Sequence, residues 1–238
     1  MKRGDGVRRY GYAVQHKVEL LPERCPMSTQ SSSLKRPVRP ESPHLMWRQI
    51  CWVSRSLAVS GDLSYNREAA RIQLSEWEAA GITDVFDMRG EADDTQFIHE
   101  NSSITSHWFG VDDNGGKRDD AWFESVRDMA YEVLNDFSRD RKILVHCHMG
   151  VNRGPSALFA IMLATGWESL EALRAIRDVR PIAGIIYAPD AISWWARVEL
   201  QHDEDDVAEK VQEVRAWLDR NPLDLGYVIR SIGNRLAV

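Results

Sequence analysis

From residue 47 onward, short apolar runs alternate with stretches of helical spacing. Ser56–Gly61 (SLAVSG) reads as a strand. In Asn66–Gly81, apolar Ala69, Ile72, Leu74, Trp77 and Ala80 fall near helical spacing and Gly81 closes the helix. Ile82–Met88 (ITDVFDM) predicts a second strand ending on the turn RGEADD. Ser103–Val111 predicts a third, leading into the loop DDNGGKRDD. A long helix over Asp120–Phe137 gathers Trp122, Phe123, Val126, Met129, Ala130, Val133 and Leu134 on one side. The fourth strand, KILVHC, does not alternate, as expected of a strand covered on both faces. After it come a mostly apolar, buried helix (PSALFAIMLAT, closed by Gly166) and another (SLEALRAIRDVR) stopped by Pro181. Two further helices (PDAISWWARVEL, DDVAEKVQEVRAWLDR) and a short last one around LGYVIRSIGNRL complete the pattern. This alternation predicts an α/β fold, a central, largely parallel twisted sheet flanked by helices, with C-terminal helices beyond it. No internal repeat is visible.

Composition divides the chain. At 238 residues and 43% hydrophobic it is one medium domain with tails. Residues 1–45 hold nine Lys/Arg against four Asp/Glu, +5, which leaves −11 of the total −6 for the rest. STQSSSLKRPVRPESP cannot bury enough apolar surface to offset its ordering entropy, so residues 1–45 are expected to be a disordered basic arm. Met27 and Met46 offer alternative starts. The acidic balance argues against a nucleic-acid binder that relies on bulk charge. Cys25, Cys51 and Cys147 are too few and scattered for a disulfide framework, which favours a reducing, cytoplasmic setting. No apolar signal region precedes Lys17, and the run Ala157–Trp167 is too short to cross a bilayer, so no membrane insertion is expected.

The chemistry concentrates after KILVHC. From Cys147 to Arg153 the chain reads C-x5-R, with Gly150 in the middle and GPS following. Cys147 admits three readings: a nucleophile in an anion-binding loop, a metal ligand with His146 and His148, or an inert core thiol. A strand that ends in a tight loop and opens into a helix aims successive N–H groups into one concavity, and the helix dipole adds positive potential. Gly150 allows the turn, and Pro155 suits the first helical turn. Arg153 can grip two phosphate oxygens with its planar fork. The same field stabilises a thiolate. Adjacent residues at a strand end diverge, and no second cluster has metal-ligand spacing, so neither a metal nor another cofactor is expected.

VHCHMGVNRGPS resembles the HCxxGxxR signature loop of the cysteine-dependent phosphatases, especially the dual-specificity, tyrosine-phosphatase-like branch. LAVSGDLS with GITDVFDMRGE is similar to that family's opening strands, and RPIAGIIYAPDAISWW to its closing helix region. The resemblance covers roughly residues 48–200 and implies a catalytic domain over 46–200 with a helical extension over 201–238. It implies a phosphocysteine intermediate on Cys147, with phosphate held by Arg153 and the loop residues His148, Met149, Gly150, Val151 and Asn152. His146 would tune the thiolate, and Ser156 is a supporting hydroxyl. The family's general acid is an Asp on an earlier loop. Asp113, 34 residues before Cys147, fits that place, with Asp112 as the alternative.

One departure is Gly154, where the family carries Ser or Thr after the Arg; the expectations are slower turnover, Ser156 acting through a shifted helix start, or a phosphate-binding protein without rapid turnover. Phosphoinositide phosphatases place Lys in this loop, where this chain has only His148. A phosphorylated protein, at tyrosine and also at serine or threonine, is therefore the expected substrate and partner. A small phosphorylated metabolite is the alternative. An RNA 5′-triphosphatase also shares HCxxGxNR, but the acidic core counts against it. His99 and His107 read as surface or packing residues, and Arg89 as a salt-bridge partner of Glu91 or Asp87. Cys51 is a minor candidate for a disulfide with Cys147 under oxidation.

Overall fold

The computed structural model describes residues 36–136, 138 and 140–236; the expectation for residues 1–35, Cys25 included, lies outside them. Five strands, β1 (Cys51–Trp52), β2 (Leu57–Ser60), β3 (Asp84–Arg89), β4 (Thr105–Val111) and β5 (Ile143–His146), form one sheet in the order β1-β2-β5-β3-β4. All neighbours are parallel except β1, which pairs antiparallel with β2. β5 is central and wholly buried, which is why KILVHC shows no alternation. Side chains still divide by period two. Leu57, Val59, Phe86, Met88, Ile143 and Val145 point into the main core, and Ala58, Val85 and Leu144 into a second core on the other face.

The main core is filled by α4 (Asp120–Leu134), α5 (Arg153–Ala164), α6 (Ser169–Val179), α7 (Ala188–Trp194, continuing as a π-helical turn Trp195–Glu199) and α8 (Glu204–Arg220). α5 is buried from Arg153 to Leu163, which accounts for its apolar character on every side. α8 contributes Val214 and Trp217. The second core is closed by α2 (Arg67–Ala79) and α3 (Thr95–Asn101). Asn66 caps α2, its side chain accepting from the N–H groups of Glu68 and Ala69.

The buried face of α2 is Ala70, Gln73, Leu74 and Trp77, whereas Ala69 and Ile72 face solvent. Gln73 hides the true spacing because it is polar; it donates to Asp62 O at 3.0 Å and accepts from Ser64 N at 3.1 Å. Neither β1 nor α3 is signalled by the sequence: the first has two residues, and the second buries only Ile98. β4 begins at Thr105 rather than Ser103, because Ser103 N and Oγ donate to Glu78 at 2.6 and 2.7 Å. The long fourth helix stops at Leu134, short of Phe137.

Disorder as far as residue 45 is corrected by the chain's own far end. α9 (Leu225–Leu236) is a twelve-residue helix preceded by Leu223, which forms a parallel bridge with Val38. Arg39 pairs with Asp224 at 2.8 Å and lies over the Tyr227 ring. A short helix, α1 (Pro43–Met46), follows and packs on α9. Trp47, Val151, Ile182, Val228 and Ile232 form a third apolar cluster there. No local composition announces such partners. Among the described residues no helix is long and apolar enough to cross a membrane.

Trp77 is fully buried while Ile72 on the same helix is 57% exposed. Trp77→Ala is expected to cost about 3–5 kcal/mol in urea unfolding, against less than about 0.5 kcal/mol for Ile72→Ala.

Candidate active site

Because β2, β3, β4 and β5 run parallel, their carboxyl ends share one edge of the sheet, where open α/β sheets bind ligands. Beyond those ends lie Asp62, Glu91, Asp113 and Cys147 respectively. The loop from Cys147 to Asn152 then enters α5 at Arg153.

Four successive carbonyls of the loop, His148 to Val151, are tied to neighbouring segments. His148 O accepts from Asp62 N at 3.0 Å and from Trp47 Nε1 at 2.8 Å. Met149 O and Gly150 O accept from the Arg180 guanidinium at 3.0 and 2.6 Å. Val151 O accepts from Gly184 N at 2.7 Å. In a trans peptide the N–H points opposite to its carbonyl, so the N–H groups of Met149, Gly150, Val151 and Asn152 turn the other way. Among the described residues these four N–H groups, and that of His148, have no acceptor. Unpaired donors grouped around a helix start make an anion nest.

Gly150 adopts φ +62°, and a Cβ there would stand 2.4 Å from Ser60 O and 2.3 Å from Arg180 Nη2. Gly154 lies close under the end of β5, where a Cβ would stand 3.1 Å from His146 C and 3.2 Å from Cys147 N, a tight fit. Its bareness lets α5 sit directly on the end of β5. Ser156 Oγ accepts from Tyr187 N at 3.2 Å.

Cys147 is 1% exposed and forms the floor of a cleft of about 220 Å³. Asp113, His148, Met149, Val151, Asn152 and Arg153 line it, as does Ile229 of α9. Arg153 is oriented by Glu91, whose two carboxylate oxygens accept at 2.5 and 2.7 Å, and by Val111 O at 2.9 Å. Its Nε is buried without an acceptor, 3.7 Å from Asp113 Oδ2. Burial alone would lower the Arg153 pKa, but Glu91, Cys147 and Asp113 raise it, so the guanidinium stays charged. Asp113 Oδ1 accepts from Tyr187 OH at 2.8 Å. Burial, reinforced by that carboxylate, pushes the Tyr187 phenol up. Arg118 shapes the same loop, donating to Asp112 O at 2.8 Å and Asn114 Oδ1 at 2.7 Å. Asp112 is exposed and does not line the cleft.

The two histidines beside Cys147 diverge. His146 is fully buried, 5.9 Å from the Trp77 ring and on the second-core face, while Cys147 belongs to the main core. Burial pushes its imidazole below the usual range although Asp87 lies 3.8 Å away. His148 pairs through Nδ1 with the buried Asp62 at 2.7 Å, and Tyr65 OH is 3.3 Å from the same nitrogen. Asp62 also meets Arg48 at 3.2 Å and Arg89 at 3.6 Å. Arg89 pairs with Asp87 at 2.7 Å and Asp94 at 2.5 Å. The expected pairing of Arg89 with Asp87 is present, while Glu91 serves Arg153 instead. His107 pairs with Asp84 at 3.0 Å, and His99 is exposed. Cys51 and Cys147 are free thiols, with Arg180 Nη1 3.4 Å from Cys51 Sγ.

Sequence reasoning missed Asp62, Glu91, Arg180, Tyr187 and Ile229. Asp62 and Glu91 each follow a strand by two residues, a signal available once the strands are read as parallel. Arg180, Tyr187 and Ile229 reach the loop from segments with no local mark. A larger open depression of about 700 Å³ along Thr95, His99 and Ser106 shares no lining residue with the cleft.

A parallel sheet, an outward-tied loop and a thiol beneath it define the phosphate-loop architecture of a cysteine-based phosphatase. Residues 65–186, just over half of the chain, match the family model "Dual specificity phosphatase, catalytic domain". The chain belongs to that family. No curated protein sequence matches it. Similar solved structures include Tk-PTP in its active form, 17% identical, covering 72% of this chain and 99% of its own, with a TM-score of 0.48. Kinase associated phosphatase with its catalytic cysteine replaced by serine is 18% identical, covering 68% and 96%, TM-score 0.49. A variant of human DUSP28 is 16% identical, covering 71% and 95%, TM-score 0.44.

Hydrogen bonds from Arg153 hold the Glu91 carboxyl at about 2, against 4.5 ordinarily. An acid depressed on folding contributes stability above its unfolded value, which is lost as pH falls toward the folded one. The stability difference between wild type and Glu91→Gln should therefore be constant above pH 5 and shrink from about pH 4.5 to pH 2, as read by urea unfolding at stepped pH. A difference that does not change across that window contradicts the pairing.

Proposed function

We propose that this protein is a phosphatase that hydrolyses phosphomonoesters in phosphorylated proteins, at tyrosine and also at serine or threonine, through a phosphocysteine on Cys147. The observation that carries the reading is the loop itself. Its carbonyls are bound on the outside, leaving free N–H donors above a buried thiol, with Arg153 at the helix entrance. A phosphate dianion fits that arrangement, with its oxygens on the loop N–H groups of His148 to Asn152 and on the free Nε of Arg153.

In the first step the Cys147 thiolate attacks phosphorus, the S–P bond forms and the P–O bond to the substrate breaks. Asp113 gives its proton to the leaving oxygen. Water then attacks the phosphocysteine, Asp113 takes a proton back, and the S–P bond breaks to release phosphate and thiolate. Tyr187 occupies one Asp113 oxygen as a donor, leaving Oδ2 for the proton. Asp112, outside the cleft, is the less suitable acid. The buried His146 packs on Trp77 at the end of β5, with Asp87 3.8 Å away, and reaches the thiol only through the backbone. This chemistry calls for no metal or other cofactor. A reducing, cytoplasmic setting fits a free thiol nucleophile, and the acidic chain favours protein over RNA substrates.

Gly154 favours a second reading, a phosphate-binding protein without rapid turnover. No hydroxyl follows Arg153 directly, and Ser156 is engaged with Tyr187 N.

Phosphate release from a small aryl phosphate separates the two. Wild type should release phosphate and Cys147→Ser should not; no release above the Cys147→Ser background sinks the enzyme reading. Asp113→Asn should lower kcat about 100-fold, Asp112→Asn should leave it nearly unchanged, and Arg153→Lys, which loses the fork, should cost on the order of 100-fold or more.

A further inference from the structure

We propose that Ile229 forms a wall of the substrate pocket and selects phosphotyrosine over phosphoserine and phosphothreonine, an inference that rests on the phosphatase reading above. Ile229 lies on α9, outside the residues that match the family model, and it lines the cleft whose floor is Cys147. It is 42% exposed, an aliphatic side chain left facing water at the mouth of a site.

Its helix is anchored on both sides. The next residue back, Val228, is fully buried with Ile232 against Trp47, Ile182 and the loop residue Val151. The N-terminal strap clamps the start of α9: Val38 N donates to Pro222 O at 2.8 Å, Asp224 N donates to Val38 O at 3.0 Å, and Arg39 bonds Asp224. Trp47, between strap and sheet, donates to His148 O in the phosphate loop. The strap and α9 thus pack on the loop's outer side, with Ile229 turned to the cleft.

The polar groups of the cleft gather at the phosphate end and at Asp113, while Met149, Val151 and Ile229 supply apolar surface. His148 does not offer a free cation to a second phosphate, because the buried Asp62 already holds it. Such a pocket suits one phosphate carried on a flat apolar group. A phosphotyrosine ring spans from the loop to the rim and covers Ile229. The short ester carbon of phosphoserine or phosphothreonine leaves Ile229 in water, so only the aryl substrate gains from it.

The test compares wild type with Ile229→Ala and Ile229→Ser on matched peptides that carry phosphotyrosine or phosphoserine, together with inhibition by inorganic phosphate. Ile229→Ser should lower kcat/KM for the phosphotyrosine peptide on the order of 10-fold through KM, and leave phosphoserine turnover and phosphate inhibition within about twofold. Equal losses on all three, or no loss on any, overturn the proposal. Phosphotyrosine-peptide affinity of Cys147→Ser, with and without Ile229→Ser, decides the matter independently of turnover. Weaker binding by the double variant supports Ile229 even if wild type hydrolyses nothing, which would overturn the enzyme reading alone. Equal binding, or no binding by either, overturns Ile229 as a selector.

Discussion

Arg180 carries a guanidinium buried among backbone carbonyls, and no carboxylate among the described residues pairs with it. It donates to Met46 O at 3.1 Å and Trp47 O at 2.9 Å on one side, and to Met149 O and Gly150 O on the other. Burial lowers its pKa, partly opposed by Cys51 and Cys147. A charge with that desolvation cost persists only where its donors are satisfied. Here they turn two loop peptides so that N–H groups face the cleft. Remove this cation and the carbonyls of Met149 and Gly150 would be free to rotate inward, where they would repel an anion.

Two glycines sit in tight places around the loop. Gly150 lies so close to Arg180 and Ser60 that no side chain fits, at a backbone angle that suits glycine. Gly154 lets α5 approach the end of β5, which brings the helix start close to the thiol. Around the loop, charges are paired in a chain. Asp62 holds His148, Arg48 and Arg89 together, Asp87 and Asp94 hold Arg89, and Glu91 holds Arg153. Burial would raise the Asp87 pKa, but His146 and Arg89 lower it, so the carboxylate persists inside the sheet edge. Arg153 therefore meets substrate already oriented, with Nε left over.

The local grammar of the chain was enough to read β5, the loop and α5, because strand, turn and helix start are consecutive there. That Cys147, Gly150 and Arg153 share one loop at the sheet edge was legible for that reason, while the place of Asp113 beside it was expected only from the family resemblance. Contacts between distant segments were not. Gln73, being polar, does not register in the apolar pattern of α2, and only its bonds to Asp62 and Ser64 place it inside. The strap at Val38 and Arg39 looked disordered because its partners, Leu223 and Asp224, lie at the other end of the chain. α3 is too short for periodicity to register, and Ile229 reads as one more apolar residue of a terminal helix until α9 is seen beside the loop.

The central claim is that Cys147 accepts the phosphoryl group. Rapid-quench mass spectrometry of Asp113→Asn mixed with an aryl phosphate addresses it most directly, since a good leaving group forms the intermediate while slowed hydrolysis lets it accumulate. The account requires a phosphoryl group on the peptide that contains Cys147, absent from a control with added Cys147→Ser. Turnover with the phosphoryl group found on another residue, or with no covalent phosphoenzyme at any quench time, contradicts it.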